Sequence, residues 1–372
     1  MSFRIYPACL ILSFLLTFSA CTSDEDSEEE QEPDTTSEQQ FERSTMIADV
    51  ADNQIIPSYQ MLVASLDQLQ EAVDALEEAP SPTRRQEAQE ALHEARLKAQ
   101  KASFFEFGPA KQSFLRDNMM SWPADTASIE EQIRDEGALS NFSAARSLAA
   151  AEYLLYIPED TAAWRTQWRK QPQRLTYLKA LVNKLRQDVG NVLNAWTASD
   201  NSYRDRFVNE LEGSSRGSAL SQLINEFNYS YEQIKTAKVR IPAGLYPGND
   251  APLPEQVEAP YSRRSLDYIY AALEATDDLY NGVHDGGDAG EGLADYLQYL
   301  EKGDLVAETN QQYQQVRDAV DAINGPLYEA VETQPNVVKT AFDRLQSQVR
   351  YYKTDMTSAT GVTINYADND GD

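Results

Sequence analysis

Glu152 is the side chain with the most chemical promise in this chain. It lies in Arg146-Ser-Leu-Ala-Ala-Ala-Glu-Tyr-Leu-Leu-Tyr156, a run of strong helix formers with no Gly or Pro. On a helix over residues 144–156, Leu148, Ala151 and Leu155 share one face, and Ala149, Glu152, Tyr153 and Tyr156 gather on the adjoining one. A carboxylate is thereby set beside an apolar stripe, next to two phenols and within two turns of Arg146. A carboxylate so placed serves either a structural ion pair or a functional pocket.

Other chemistry-bearing residues are sparse. His284-Asp-Gly-Gly-Asp-Ala-Gly-Glu291 is an acidic, glycine-rich loop. Hard cations such as calcium take several oxygens on a flexible backbone, so His284, Asp285, Asp288 and Glu291 join Glu152 as metal candidates. Their spacing is not that of an EF-hand, and a solvated connection between helices is the plainer reading. The terminal Asp368-Asn-Asp-Gly-Asp372 resembles the opening of a calcium loop and reads as a tail. The histidines are His93 and His284, and neither accompanies a nucleophile elbow or a His-Glu-x-x-His pattern. His93, beside Glu94 and Arg96, reads as a surface or boundary residue. The 20 tyrosines could line a sugar groove, though in helical bundles they serve more often as boundary residues.

The elements that must position these groups read as helices throughout. From Ser44 the chain is rich in Ala, Leu, Glu, Gln, Lys and Arg, with few β-branched runs. The spacing predicts helices over 47–76 with an interruption at Pro57, 84–107, 128–136, 144–156, and 161–198 with a kink near Pro172. The second half repeats the scheme over 220–238, 265–280, 293–323 with a break around Gly303, and 336–356. Strand-like alternation appears only in Val362-Thr-Ile-Asn-Tyr366. The expected fold is all-α, two antiparallel helical bundles in tandem over 44–200 and 201–372.

The N-terminus carries one positive charge and then an apolar run from Ala8 to Ala20, the pattern of a secretory signal over residues 1–20. Phe18-Ser-Ala-Cys21 resembles a bacterial lipobox, which would make Cys21 the lipidated first residue of the mature protein. Thr22 follows in place of the Asp that resembles an inner-membrane retention signal, so an outer-membrane anchor facing the periplasm is expected. Residues 21–43 are acidic and nearly devoid of apolar side chains, the composition of a disordered tether. The only cysteines are Cys9 and Cys21, so the processed chain has no disulfide and no thiolate chemistry. With a net charge of −28 the protein lacks the basic footprint that a nucleic acid requires.

Several motifs carry a family resemblance along nearly the whole mature chain. Arg146, Glu152, Tyr153, Leu154 and Leu155 match a signature Arg-Gly-Phe-His-x-x-Glu followed by an aromatic and two leucines. Phe105-Glu-Phe-Gly-Pro109, Ser121-Trp-Pro-Ala-Asp125, Lys238 to Pro242, Glu258-Ala-Pro-Tyr-Ser-Arg-Arg-Ser265 and Gly292-Leu-Ala-Asp-Tyr-Leu297 follow in order. Together they resemble the imelysin-like family. The resemblance implies a two-bundle helical protein of the bacterial cell envelope, linked to iron acquisition and named after a peptidase, with its site between the bundles. The family's presumed metal or ligand site pairs a His with the Glu three residues on. Here Ala149 stands where the His would be, Ser147 where the Gly would be, Ser103 in place of a Glu, and Ala99 in place of an aromatic.

A metal needs several N or O ligands in one place, so losing an imidazole and a carboxylate implies that the family-type metal chemistry is gone. No cofactor is predicted, with iron and calcium left open. Arg96, Arg146, Glu152, Tyr153, Glu258, Tyr261, Ser262 and Ser265 are then expected either to line a ligand-binding pocket or to form an interbundle hydrogen-bond network. The function expected first is a lipid-anchored envelope binding protein, with a small-molecule or metal ligand or an envelope protein as partner. A peptidase or other hydrolase, and a surface interaction or glycan-binding protein, are the alternatives.

Overall fold

The structure, a computed structural model, describes residues 35–366 apart from 136–138, 140–142, 210 and 250. Its first helix, α1 (Thr35–Val50), starts inside the stretch expected to be a tether. No Pro or Gly interrupts the chain between Pro33 and Pro57, and the run from Thr35 onward is long enough to propagate a helix. After α1 the chain passes through a π-helical segment, Ala51–Ile55, into α2 (Ile56–Glu78). Pro57 is the second residue of α2, directly after the π segment, and with no N–H to donate it interrupts the backbone ladder of an otherwise continuous helical run. The expected interruption is therefore a change of helical pitch just before Pro57.

In α2, Leu62, Leu66, Leu69, Val73 and Leu76 are fully buried at three-and-four spacing. Each such side chain contributes about 1.5–3 kcal/mol of burial. They face α3 (Pro82–Ala102) and the long α9 (Gln173–Thr197). Ser81 caps α3, its Oγ accepting from the Arg84 N–H at 3.2 Å, with Pro82 in the first turn. A 3-10 turn over Ser103–Phe105 ends α3 short of the expected stop at Gly108. The short helices α4 (Pro109–Ser113), α5 (Leu115–Met119) and α6 (Thr126–Arg134) follow. Next, α7 (Leu148–Tyr156) packs on both α3 and α9. The predicted long helix over 161–198 divides into α8 (Thr161–Lys170) and α9, broken at Gln171 and Pro172.

Beyond α10 (Tyr203–Asn209) lie α11 (Ala219–Gln233), continued by a π segment Ile234–Arg240, and then α12 (Ser265–Asn281) and α13 (Leu293–Tyr299). Next come α14 (Gly303–Asp321), α15 (Leu327–Thr333) and α16 (Pro335–Val349). A second long π segment, Arg350–Met356, runs into α17 (Thr357–Thr360). Helix α14 packs on α16, and α12 and α16 both pack on the Ile234–Arg240 segment. Helix α12 also packs along α3, which joins the two halves. One apolar cluster runs from Met46 to Val362, so the halves share a continuous core.

The fold is all-α: among the described residues there is no strand, only isolated bridges at Tyr246–Asn249 and Val283–Ala289. The alternating segment 362–366 is an extended tail, held by Asn225, whose Oδ1 accepts from the Asn365 N–H at 2.8 Å. No helix among the described residues is long and apolar enough to cross a membrane. Cys21, the leader, the residues of the tether before Thr35 and the terminal Asp368–Asp372 lie outside the described residues.

Candidate functional site

Helix α7 begins later than its sequence suggests. Ser147 is an N-cap in extended conformation whose Oγ accepts from the Ala150 N–H at 3.4 Å. Arg146 thus precedes the helix and points away from Glu152. Its guanidinium donates to Asn118 Oδ1 at 2.5 Å. The expected Arg146–Glu152 juxtaposition is replaced by a different arginine.

That arginine is Arg96 of α3. Its Nη1 donates to Glu152 Oε2 at 2.6 Å, and its Nη2 donates to the Glu258 carbonyl at 2.8 Å. The other Glu152 oxygen, Oε1, accepts from the backbone N–H of Ser262 at 2.7 Å. Glu152 is 1% exposed and Arg96 3%, so both charges are out of solvent. Beside them, Glu258 Oε1 accepts from Gln100 Nε2 at 2.9 Å and its Oε2 pairs with Lys238. Lys238 Nζ also donates to Gln100 Oε1 at 2.8 Å and lies 5.0 Å from the centre of the Trp122 ring. Arg96 stacks on Tyr268 at 4.6 Å, and the Tyr268 hydroxyl lies 3.1 Å from His93 Nδ1.

The electrostatics of this network close on themselves. Two cations, Arg96 and Lys238, meet two carboxylates, Glu152 and Glu258, leaving no net charge. Burial opposes ionisation of Glu258, but Lys238 and Arg96 outweigh it and hold its carboxyl below the usual range. Burial likewise opposes the charge on Arg96, and Glu152, Tyr268 and Glu258 together raise its pKa beyond the ordinary value. Burial pushes Lys238 down, and Glu258 opposes that shift.

Of the residues expected at the site, the structure brings Arg96, Glu152, Glu258 and Ser262 together directly. Ser265 stands behind them, its Oγ accepting from the Ala259 N–H at 3.0 Å and bracing the loop that carries Glu258. Tyr153 and Tyr261 meet with ring centres 5.7 Å apart, and the Tyr153 hydroxyl donates to Glu130 at 2.7 Å. The Ser262 hydroxyl is buried with no partner among the described residues. Gln100, Lys238, Tyr268 and Trp122 complete the network and were not expected. Gln100 lies four residues after Arg96, so one helical face carries both, a spacing visible in the sequence.

Next to the network is a cavity of about 110 Å³ lined by Gln100, Ser103, Arg116, Trp122, Tyr229 and Lys238, among others. Ser103 turns its hydroxyl back to the Gln100 carbonyl at 2.7 Å. A divalent metal does not fit this centre: the Arg96 guanidinium already sits against Glu152 at 2.6 Å, and Ala149 supplies no imidazole. Among the described residues no three His, Cys, Asp or Glu side chains converge in a metal-holding group.

The acidic loop is built as a clasp onto α1 and α3. His284 Nε2 lies 2.8 Å from Asp49 Oδ2, which also accepts from the Glu291 N–H at 2.9 Å. Asp285 goes to Lys101 at 2.8 Å, and Asp288 contributes its carbonyl to the His284 N–H. Asp285 is drawn to Lys101 of α3, and among the described residues the loop's acidic groups do not converge in threes as calcium would need.

With this geometry in hand, comparison with known proteins is specific. A family model described as imelysin, peptidase M75, matches residues 55–355. Iron-regulated protein A of Synechococcus elongatus is 23% identical over 319 residues, 80% of this chain and 83% of that protein. A crystal structure from Parabacteroides distasonis, assigned as an iron-regulated protein A precursor, superposes with a TM-score of 0.72 at 20% identity, covering 86% of this chain and 95% of that one. An imelysin-like protein from Psychrobacter arcticum gives a TM-score of 0.68 at 15% identity, covering 87% and 96%. At these identities the two structures establish the fold.

Proposed function

The chain belongs to the imelysin family, and from that premise we propose that it is a non-catalytic binding protein of the bacterial cell envelope, lipid-anchored through Cys21 and concerned with iron acquisition. The observation that carries the first part is the state of Glu152. A general base or metal ligand must face its reacting group, whereas Glu152 is 1% exposed and held as the buried partner of Arg96, with the Ser262 N–H on its other oxygen. The cavity beside the network, about 110 Å³, is well below the roughly 300–1,000 Å³ of a pocket for a drug-sized ligand. A peptide substrate has no room there. A small polar molecule does, beside the Trp122 ring and the Lys238–Gln100 edge of the network.

Iron enters through relatives: iron-regulated protein A of Synechococcus elongatus matches most of the chain. In this chain iron handling would not run through a metal held at Glu152. The protein would act in the uptake process by binding a small ligand or an envelope partner.

Two experiments test this. A peptidase assay with the purified protein is expected to show no turnover; turnover abolished by Glu152→Ala would overturn the non-catalytic part. Labelling of cells with a palmitate analogue is expected to mark the wild-type protein and not Cys21→Ser. Equal labelling of both would refute the anchor.

A further inference from the structure

Away from the buried network, the second face of Arg116 opens on a surface groove of about 730 Å³, between the α4–α5 break, α10, α11 and the tail at Asn365 and Tyr366. Its walls carry Lys111, Arg116, Arg206 and Arg216, an unusual concentration of cations for a chain of net charge −28. Arg116 is committed: it pairs with Glu226 and donates to the Ser103 carbonyl at 2.5 Å. Lys111, Arg206 and Arg216 are exposed and form no ion pair among the described residues. The carboxylates lining the groove are Glu106, Asp117 and Glu226. Glu226 is neutralised by Arg116, and Glu106 lies beneath, its Oε2 accepting from the Arg116 N–H at 3.1 Å.

Phe114 is a second, independent feature of the same groove. At 64% exposure it is one of the two large apolar side chains left in solvent among the described residues. It sits at φ +53°, a left-handed conformation that a bulky L-residue seldom adopts, at the break between α4 and α5. Water gives an exposed phenyl no compensating contact, whereas a flat ligand in the groove would. Tyr229, on the α11 side, stands edge-on to Tyr366 at 5.4 Å and offers another ring.

We propose that this groove binds small organic polyanions of the polycarboxylate class, with Lys111, Arg206 and Arg216 holding the carboxylates and Phe114 and Tyr229 contacting the ligand body. Guanidinium groups suit carboxylates because their fork of N–H donors matches two oxygens at once. The long-range field of the chain repels anions, so binding there requires this local cluster and weakens with salt. The inference is independent of the Glu152 network, whose residues do not line the groove.

Titration calorimetry of the full protein with citrate and with benzene-1,3,5-tricarboxylate, at low ionic strength and again in added salt, tests it. Saturable binding of both probes is expected, weaker in salt. The pair Arg206→Gln and Arg216→Gln should lose about tenfold or more in affinity, since two charge-assisted contacts are removed. The pair Arg169→Gln and Lys170→Gln, with the same charge change on the exposed end of α8, should leave affinity within about twofold. Phe114→Ala should weaken the benzene probe more than citrate. All of these positions are exposed, and circular dichroism would verify folding. Absence of saturable binding by either probe, or equal losses in the two double variants, would overturn the proposal.

Discussion

Arg96 Nη1 and Glu152 Oε2 meet at 2.6 Å across the packing of α3 on α7, with both side chains almost wholly out of solvent. Removing one partner of such a pair leaves the other charge buried and uncompensated, which costs more than the pair itself contributes. Glu152→Ala is therefore expected to lower unfolding stability by about 3–5 kcal/mol in chemical denaturation. The double change with Arg96→Met should recover a substantial part of that loss. A double variant less stable than the sum of the singles would show that the two do not act as a pair.

Glu258 should govern part of the acid limb. Lys238 and Arg96 hold its carboxyl below the usual range despite burial. Its contribution is present above the ordinary carboxyl pKa and is lost as pH falls through the depressed folded value. Denaturation from neutral pH into acid should show wild type losing its advantage over Glu258→Gln in that window. An advantage independent of pH would mean that the charge of Glu258 is not what stabilises.

Glu106 should act with the opposite sign. Burial beneath the groove pushes its pKa from 4.5 to about 7, against the opposing pull of Arg116, with Glu226 and Asp117 adding to the rise. The folded protein holds that proton more tightly, so the stabilisation is full below the ordinary value and disappears as pH rises through about 7. Above that pH, Glu106→Gln should be more stable than wild type by about 1–3 kcal/mol, and the gap should close below pH 5.

The His284–Asp49 clasp predicts a local effect. Gly290 packs so closely that a Cβ there would sit 1.9 Å from His284 Nε2, so Gly290→Ala must displace the imidazole. Both Gly290→Ala and His284→Ala should raise amide exchange over residues 284–291 while leaving the helices protected. Added calcium should not restore protection in either variant. Restoration by calcium would show that the loop carboxylates can converge on a cation after all.

Much of the fold was legible because it rests on periodicity. The leucines of α2 fall at helical spacing, and the helix expected over 84–107 is α3, begun two residues earlier at Pro82. The π segments were not legible, since a wider turn carries no residue signature of its own. At the site, Glu152 was found by its place beside an apolar stripe, and Arg96 was named among the same group of residues, but the pairing of the two was not. The sequence-adjacent Arg146 looked closest, yet Ser147 is a strong N-cap residue that starts the helix beyond it. Arg96 reaches Glu152 from 56 residues away, a pairing that only tertiary packing decides. Lys238 and Gln100 escaped for the same reason, although the four-residue step from Arg96 to Gln100 was a usable signal.

The most direct measurement is thermal unfolding with and without added iron or zinc, on the wild-type protein and on the double reversion Ala149→His with Ser103→Glu. A ligand that binds the folded state at a hundred times its Kd adds about 2.7 kcal/mol, which moves the midpoint visibly. With Glu152 committed to Arg96 and Ser262, the wild-type midpoint should not respond to either metal, and only the reverted protein should gain a metal-dependent rise. A wild-type midpoint that rises with metal, and loses that response in Glu152→Gln, would contradict a closed ionic network at this site.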